Sequence, residues 1–267
     1  MPGDPPPGSG RLLVDEEAGA LVARIDNPAR ANALDDAVLD ALVSLLDGPR
    51  AAAARVVLLA GSGDRHFSSG LDLGGHPPDA LAERLRGGER MLSTAARAIA
   101  GCRRPVIAVL NGAAFGGALE LAMACDWRIA RTGVRLGMPA ARIGVVYAAD
   151  GLRRFVAALG PARARRLFLT GAPVGAEEAY ALGLVDQLVA PEELWPAARA
   201  AAADVVAAAP LAVEGTRAIV REMADGPMAA GPEAAAAAWR ERAFASDDFR
   251  EGLRAFREKR PPRFEGR

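Results

Sequence analysis

Two short glycine-bearing segments of this 267-residue chain hold the residue types that could do chemistry. One is Phe67-Ser68-Ser69-Gly70-Leu71-Asp72-Leu73. The other is Asn111-Gly112-Ala113-Ala114-Phe115-Gly116-Gly117-Ala118-Leu119-Glu120. Each follows an apolar, β-branched run, Val56 to Ala60 and Val106 to Leu110, of the kind that forms a buried strand. The second also opens an apolar helical stretch, Ala118 to Cys125. Small-residue turns at two strand ends, one of them a helix N-terminus, can aim two backbone N–H groups at one point, and such a pair stabilises an oxyanion. Glu120, in the first turn of that helix, is the candidate acid–base group. An acid is also favourable there by about 0.3–1 kcal/mol through the helix dipole, so its position alone fits either role.

Around these turns lie further candidates. Tyr147 either packs its ring in a pocket and hydrogen-bonds its hydroxyl or takes part in the chemistry. Asp150 reads as the N-cap of a helix from Gly151, with a second acid as the alternative. His66 and His76 are expected at the surface and Tyr180 in the core. The pairs Arg153-Arg154 and Arg165-Arg166 are expected on solvated helix faces, with a phosphate contact as the alternative. No metal motif is present. Cys102 and Cys125 lie in or beside apolar segments and read as free buried thiols, which suits a reducing compartment and a cytoplasmic location.

The elements that must position these residues follow from pattern. Leu12 to Val14 and Ala20 to Ile25 flank Glu16-Glu17-Ala18-Gly19 as a hairpin. A helix is expected over 35–46, started by Asp35 or Asp36, and a long one over 81–99, with Gly87-Gly88 as the expected point of interruption. Gly74-Gly75-His76-Pro77-Pro78 is a breaker cluster and reads as a loop. Strands are expected over 126–130 and 134–136. Beyond Gly151 the pattern is helical over 161–169, 176–182, 192–208, 211–223, 233–245 and 248–259. The class is α/β. Residues 1–10, rich in Pro and Gly without an apolar core, read as a disordered tail and not a secretory signal. Residues 11–190 read as the core and 191–267 as a helical region suited to subunit packing. With 33 basic and 33 acidic residues the net charge is zero, so neither nucleic acid nor an anionic membrane is expected as partner. No apolar run is long enough to span a bilayer.

Five blocks in order resemble the crotonase superfamily, also called the enoyl-CoA hydratase/isomerase family: Asn27 to Leu34, Phe67 to Leu73, Pro105 to Asp126, Leu169 through Val185, and Glu251 to Arg260. The resemblance covers residues 11–265. It implies a spiral of ββα units with a C-terminal helical trimerisation region, and a homotrimer or a hexamer of paired trimers. It implies an acyl-CoA thioester as substrate, so that CoA enters with the substrate and no separate cofactor is expected. In the family two backbone amides polarise the thioester carbonyl, and these map onto Ser69 and Gly117. Ala29, Ala31 and the turn Ser69-Gly70-Leu71-Asp72 would contact CoA. Phe256 and Lys259 match positions that reach a neighbouring subunit's CoA in some relatives.

The pattern breaks at one place. Hydratases of this family use two glutamates; the first maps onto Glu120, and the second position is Ala140. One positioned acid–base group is worth about 10²–10⁴-fold, so a fast hydratase is not expected. The stretch from Pro139 through Gly144 and Val145 to Tyr147 resembles the methylmalonyl-CoA decarboxylase branch, which implies a functional Tyr147 beside Glu120. Decarboxylation makes the enolate by losing CO₂ and needs no base at Cα. The residue-level expectation is therefore a one-carboxylate, decarboxylase-like lyase. Alternatives are an enoyl-CoA hydratase or isomerase with an atypical site, and a non-catalytic acyl-CoA-binding protein. RNA binding, known for one branch of the superfamily, is opposed by the zero net charge.

Overall fold

The structure is a computed structural model that describes residues 9–74, 78–225 and 231–267. One sheet holds β1 (Arg11–Glu17), β2 (Ala20–Asp26), β3 (Val56–Gly61), β5 (Val106–Leu110), β7 (Trp127–Arg131) and β10 (Gln187–Val189), in that spatial order. A second, smaller sheet holds β4 (His66–Ser68), β6 (Ala113–Phe115), β8 (Arg135–Gly137) and β9 (Val174–Gly175). β1 and β2 form the expected antiparallel hairpin, and β2, β3, β5, β7 and β10 are joined by parallel pairing.

Helices α1 (Asp36–Leu46) and α2 (Pro49–Ala53) follow the hairpin, and α3 (Pro78–Gly101), α4 (Gly117–Ala124) and α5 (Ala149–Thr170) follow successive strand pairs. The chain thus runs β3-β4-α3, β5-β6-α4, β7-β8-α5, each unit placing one strand in each sheet and one helix outside. This is the ββα spiral that the resemblance implied. α6 (Ala176–Leu182) then leads to β10 and α7 (Leu194–Ala207), and α8 (Pro210–Asp225), α9 (Gly231–Phe244) and α10 (Asp247–Glu258) complete the chain.

The main core fills one face of the large sheet with Leu21, Leu59, Ala108 and Leu110, under Leu39 and Leu42 of α1, Ala95 and Ile99 of α3 and Leu119 of α4, all buried. On the opposite face, Val22, Val56, Leu58, Ile107, Val109 and Ile129 take Leu194, Ala198 and Ala202 of α7. Those three are spaced by one helical turn each, so they form a single stripe, and the alanines let the helix approach the sheet closely. α7, although beyond the division expected at residue 190, packs on the large sheet. Only α8–α10 form an arm, tied back by Arg103 to Glu214 (2.7 Å) and by Arg217 to Asp126 (2.7 Å).

Other expectations are corrected by local geometry. α3 runs unbroken through Gly87-Gly88; a Cβ on Gly88 would lie 3.2 Å from Leu71 Cδ1, so glycine there lets the helix pass close over the first turn. α5 starts at Ala149 with Ala148 as its cap residue, which leaves Asp150 exposed in the first turn and not capping. It bends at Gly160 (φ 75°), just before Pro161. Tyr180 is half exposed instead of core. Cys102 and Cys125 are buried free thiols, whose burial pushes their ionisation up. The tail through residue 8 and His76 lie outside the described residues. Among the described residues no single helix is long and apolar enough to cross a membrane.

Candidate functional site

Two buried asparagines brace the ends of the central strands. Asn32, held at φ 55°, accepts from the Asn27 amide (3.1 Å) and donates to the carbonyls of Ser62 (2.9 Å) and His66 (2.8 Å). Asn111 accepts from the Gly61 amide (2.9 Å) and donates to the carbonyls of Gly61 (3.0 Å) and Gly63 (2.7 Å). Both asparagines thus satisfy main-chain groups that the ladder leaves open. Neither was singled out by sequence reasoning; for Asn111 the available signal was its place at the end of β5 next to Gly112.

In the first turn the amides are divided among partners. Ser69 donates its N–H to the Ala31 carbonyl (3.0 Å), and Gly70 donates to the Ser68 hydroxyl (3.1 Å). Leu34 and the turn are joined by Leu34 N–H to Gly70 O (2.8 Å) and Asp72 N–H to Leu34 O (2.9 Å). The Leu71 amide makes no hydrogen bond among the described residues. In the second turn Gly116, at φ 53°, donates to the Gly137 carbonyl (3.0 Å), and Gly117 is the first residue of α4, its amide likewise without a partner among the described residues.

The two turns press together at Gly70. Its φ of +94° is one that side chains rarely adopt. A Cβ there would fall 2.6 Å from the Phe115 carbonyl oxygen and 3.3 Å from the Gly117 nitrogen, while one on Gly117 would lie 3.5 Å from Leu71 Cγ. The Ser69 N–H, expected to pair with that of Gly117, is engaged by Ala31, while the Leu71 amide, two residues on, is unengaged among the described residues.

Glu120 lies three residues into α4 and is 2% exposed. Each carboxylate oxygen has its own partner. The Tyr147 hydroxyl donates to Oε2 at 2.6 Å, and Arg154 Nη1 donates to Oε1 at 3.3 Å. Arg154 also donates to the Asp150 carbonyl (3.0 Å). Burial raises the Glu120 pKa against the hydrogen bond from Tyr147 and the charge of Arg154, with the negative charges of Asp150 and Glu89 adding to the rise. Burial, and then the Glu120 charge, push the Tyr147 hydroxyl well above its ordinary value, so it stays protonated and acts as a donor. Its ring leans on Phe168 (5.3 Å between centroids). Gly151 makes room for the pair: a Cβ there would sit 2.5 Å from the Tyr147 ring and 3.0 Å from the Glu120 carboxylate.

The structure thus brings Gly70, Leu71, Gly117, Glu120 and Tyr147 together and adds Arg154, which the sequence pattern placed on a solvated face. Asp72 is partnered by the Arg30 guanidinium (2.6 Å) and the Gly74 amide (3.0 Å). Ala29 is exposed beside this turn, and Ala31 adopts φ 53°. Phe256 and Lys259 are on and at the end of α10, outside the cluster, with Phe256 84% exposed. Ala140 is the second residue of the short 3₁₀ turn that Pro139 opens and brings no carboxylate.

A family model described as enoyl-CoA hydratase/isomerase matches residues 15–267. The chain belongs to the enoyl-CoA hydratase/isomerase family. Among proteins similar to this family member, the crotonyl-CoA hydratase of Syntrophomonas wolfei is 33% identical over 259 residues, 95% of this chain and 97% of that one. The carnitinyl-CoA dehydratase of Salmonella arizonae is 35% identical over 266 residues, covering 96% and 98%. The crystal structure of an enoyl-CoA hydratase from Bacillus anthracis superposes with a TM-score of 0.88 at 29% identity, over 96% of this chain and 100% of that one. As a crotonase-fold family member, the chain is an acyl-CoA enzyme.

Proposed function

We propose that this enzyme adds water across, or removes it from, the Cα–Cβ bond of an acyl-CoA, with Glu120 as its one carboxylate acid–base. The observation that carries the reading is the placement of Glu120 three residues after Gly117, on the helix whose first amide lies against the first turn. The amides of Leu71 and Gly117 take the thioester oxygen, where negative charge develops as the enolate forms. Glu120 removes a proton from water while the water oxygen bonds to Cβ. The C=C electron pair moves toward the thioester oxygen, and the same proton is then returned to Cα, so a single carboxylate closes the cycle. A pKa raised by burial suits a group that must both take and return a proton. The names of the two curated relatives, a hydratase and a dehydratase, support this reading.

Decarboxylation of a methylmalonyl-type thioester is the second reading, favoured by Ala140 at the second glutamate position and by the Tyr147 to Glu120 bond. Glu120→Gln and Tyr147→Phe, assayed for crotonyl-CoA hydration and for CO₂ release from methylmalonyl-CoA, separate the two. Hydration that fails with Glu120→Gln and survives Tyr147→Phe supports the first. CO₂ release without hydration of any enoyl-CoA overturns it. Assembly into trimers, or hexamers of trimers, goes with the family resemblance, and the exposed Phe256 suits a subunit contact. Sedimentation of the full chain tests it.

A further inference from the structure

Arg154 is the residue of the site that no motif or family block marked, and its surroundings are specific. It lies in the second turn of α5 and, with Asp150, lines one wall of a cleft of about 1190 Å³ between the core and α8. Its side chain is 17% exposed and meets a carboxylate that is 3% exposed. One nitrogen serves both Glu120 Oε1 and the Asp150 carbonyl at the start of the same helix. The second contact anchors the guanidinium to main chain, so the cation is held in place whatever Glu120 does. Tyr147, protonated, donates its hydroxyl to the other oxygen. Glu120 is thereby held between a neutral donor on Oε2 and a fixed cation on Oε1. The longer Arg154 contact, 3.3 Å against 2.6 Å, makes Oε1 the more loosely held oxygen.

We propose that Arg154 is a positioning residue that orients the Glu120 carboxylate and keeps it ionised as a base in the resting enzyme. This rests on the reading of Glu120 as the acid–base group. A buried carboxylate without a cation takes up a proton and cannot accept one from water. Four groups face it: Arg154 and Tyr147 favour the charged form, while Asp150 on α5 and Glu89 on α3 oppose it. Removing Arg154 leaves burial and the two acids opposed by Tyr147 alone, so the Glu120 pKa must rise further.

The test uses Arg154→Met, which keeps much of the side-chain bulk, and Arg154→Lys, which keeps the charge. Two readouts are taken: the pH profile of kcat/KM with an enoyl-CoA, and direct titration of Glu120 by carbon NMR of glutamate-labelled protein without substrate. Arg154→Met is expected to move the acidic limb and the NMR midpoint upward together. At neutral pH kcat/KM falls by roughly ten- to hundredfold and recovers as pH rises. Arg154→Lys restores part of the activity. A fall that is equal at every pH, or an NMR midpoint that does not move, overturns the proposal. The titration does not depend on which reaction the enzyme runs, whereas failure of the acid–base reading shows separately as activity retained by Glu120→Gln.

Discussion

Glu120 in the spiral core and Glu251 in the C-terminal arm are both carboxylates facing arginine, and their environments shift them in opposite directions. Glu251 accepts from Arg260 at 2.6 and 3.0 Å, from Arg254 at 2.7 and 3.1 Å, and from the Arg263 amide at 3.0 Å. Arg260, then Arg254, then that amide hold it well below the usual carboxylate range. Glu120 has a single arginine at 3.3 Å and a neutral hydroxyl, surrounded by apolar core, and there burial prevails. The arm uses its carboxylate as a structural clamp that stays charged. In the core, burial leaves the carboxylate partly destabilised, at some cost to folding, which suits the proton exchange proposed for it.

The sharpest way to break this contrast is Glu120→Gln. Activity should fall by roughly 10²–10⁴-fold, while thermal stability stays level or rises. The sign follows from linkage. A carboxylate whose folded pKa is raised stabilises the fold most at low pH, and that contribution is lost as pH rises from the ordinary carboxylate range through the raised folded value. Steady-state rates and melting curves of the same preparation check both halves, and a clear drop in Tm at neutral pH would count against the contrast.

A smaller effect is expected from Gly151→Ala, because the added Cβ would press on both the Tyr147 ring and the Glu120 carboxylate. Overpacking of this kind costs about 1–3 kcal/mol. Displacement of the pair should lower kcat by roughly 10²-fold or less. A melting curve and kcat measured together show whether the site suffers more than the fold.

In the arm, the same logic gives the opposite pH dependence. The Glu251 contribution is present above the unfolded carboxylate pKa and is lost as pH falls from there toward the depressed folded value. Hydrogen exchange should therefore speed up in α10 before the core strands as the solution is acidified. Glu251→Gln should show fast α10 exchange already at neutral pH with kcat unchanged. The mildest change is Phe256→Ala: at 84% exposure its loss should move chain stability by no more than about 0.5 kcal/mol. If the residue meets CoA held by a neighbouring subunit, KM rises while kcat holds, which steady-state titration with an acyl-CoA resolves.

Much of the frame was legible because it rests on long, regular runs. β3 and β5 are apolar throughout and carry valine and isoleucine, α1 carries its Asp35 cap, accepting from the Val38 amide at 2.9 Å, and the hairpin turns at Ala18-Gly19 with both residues at positive φ. The second sheet was hardly legible, since β4, β6 and β9 have two or three residues each and are too short for any period to emerge. Their place is set by pairing with one another. The shift from Ser69 to Leu71 has a related cause: which amide of a turn remains unengaged depends on Ala31 arriving beside it from a segment nearly forty positions earlier in the chain.

By itself the amino-acid order determined the α/β class, the strand-and-glycine turns, and the presence of Glu120 and Tyr147 with alanine at residue 140, because these follow from local conformational preference and side-chain type. Only the tertiary structure decided that α7 closes the back of the sheet, that the Ser69 amide is taken by Ala31, and that Arg154 turns inward to Glu120. Those outcomes depend on segments far apart in the chain meeting under close packing, where burial and competition for hydrogen bonds select among partners that local sequence leaves equivalent.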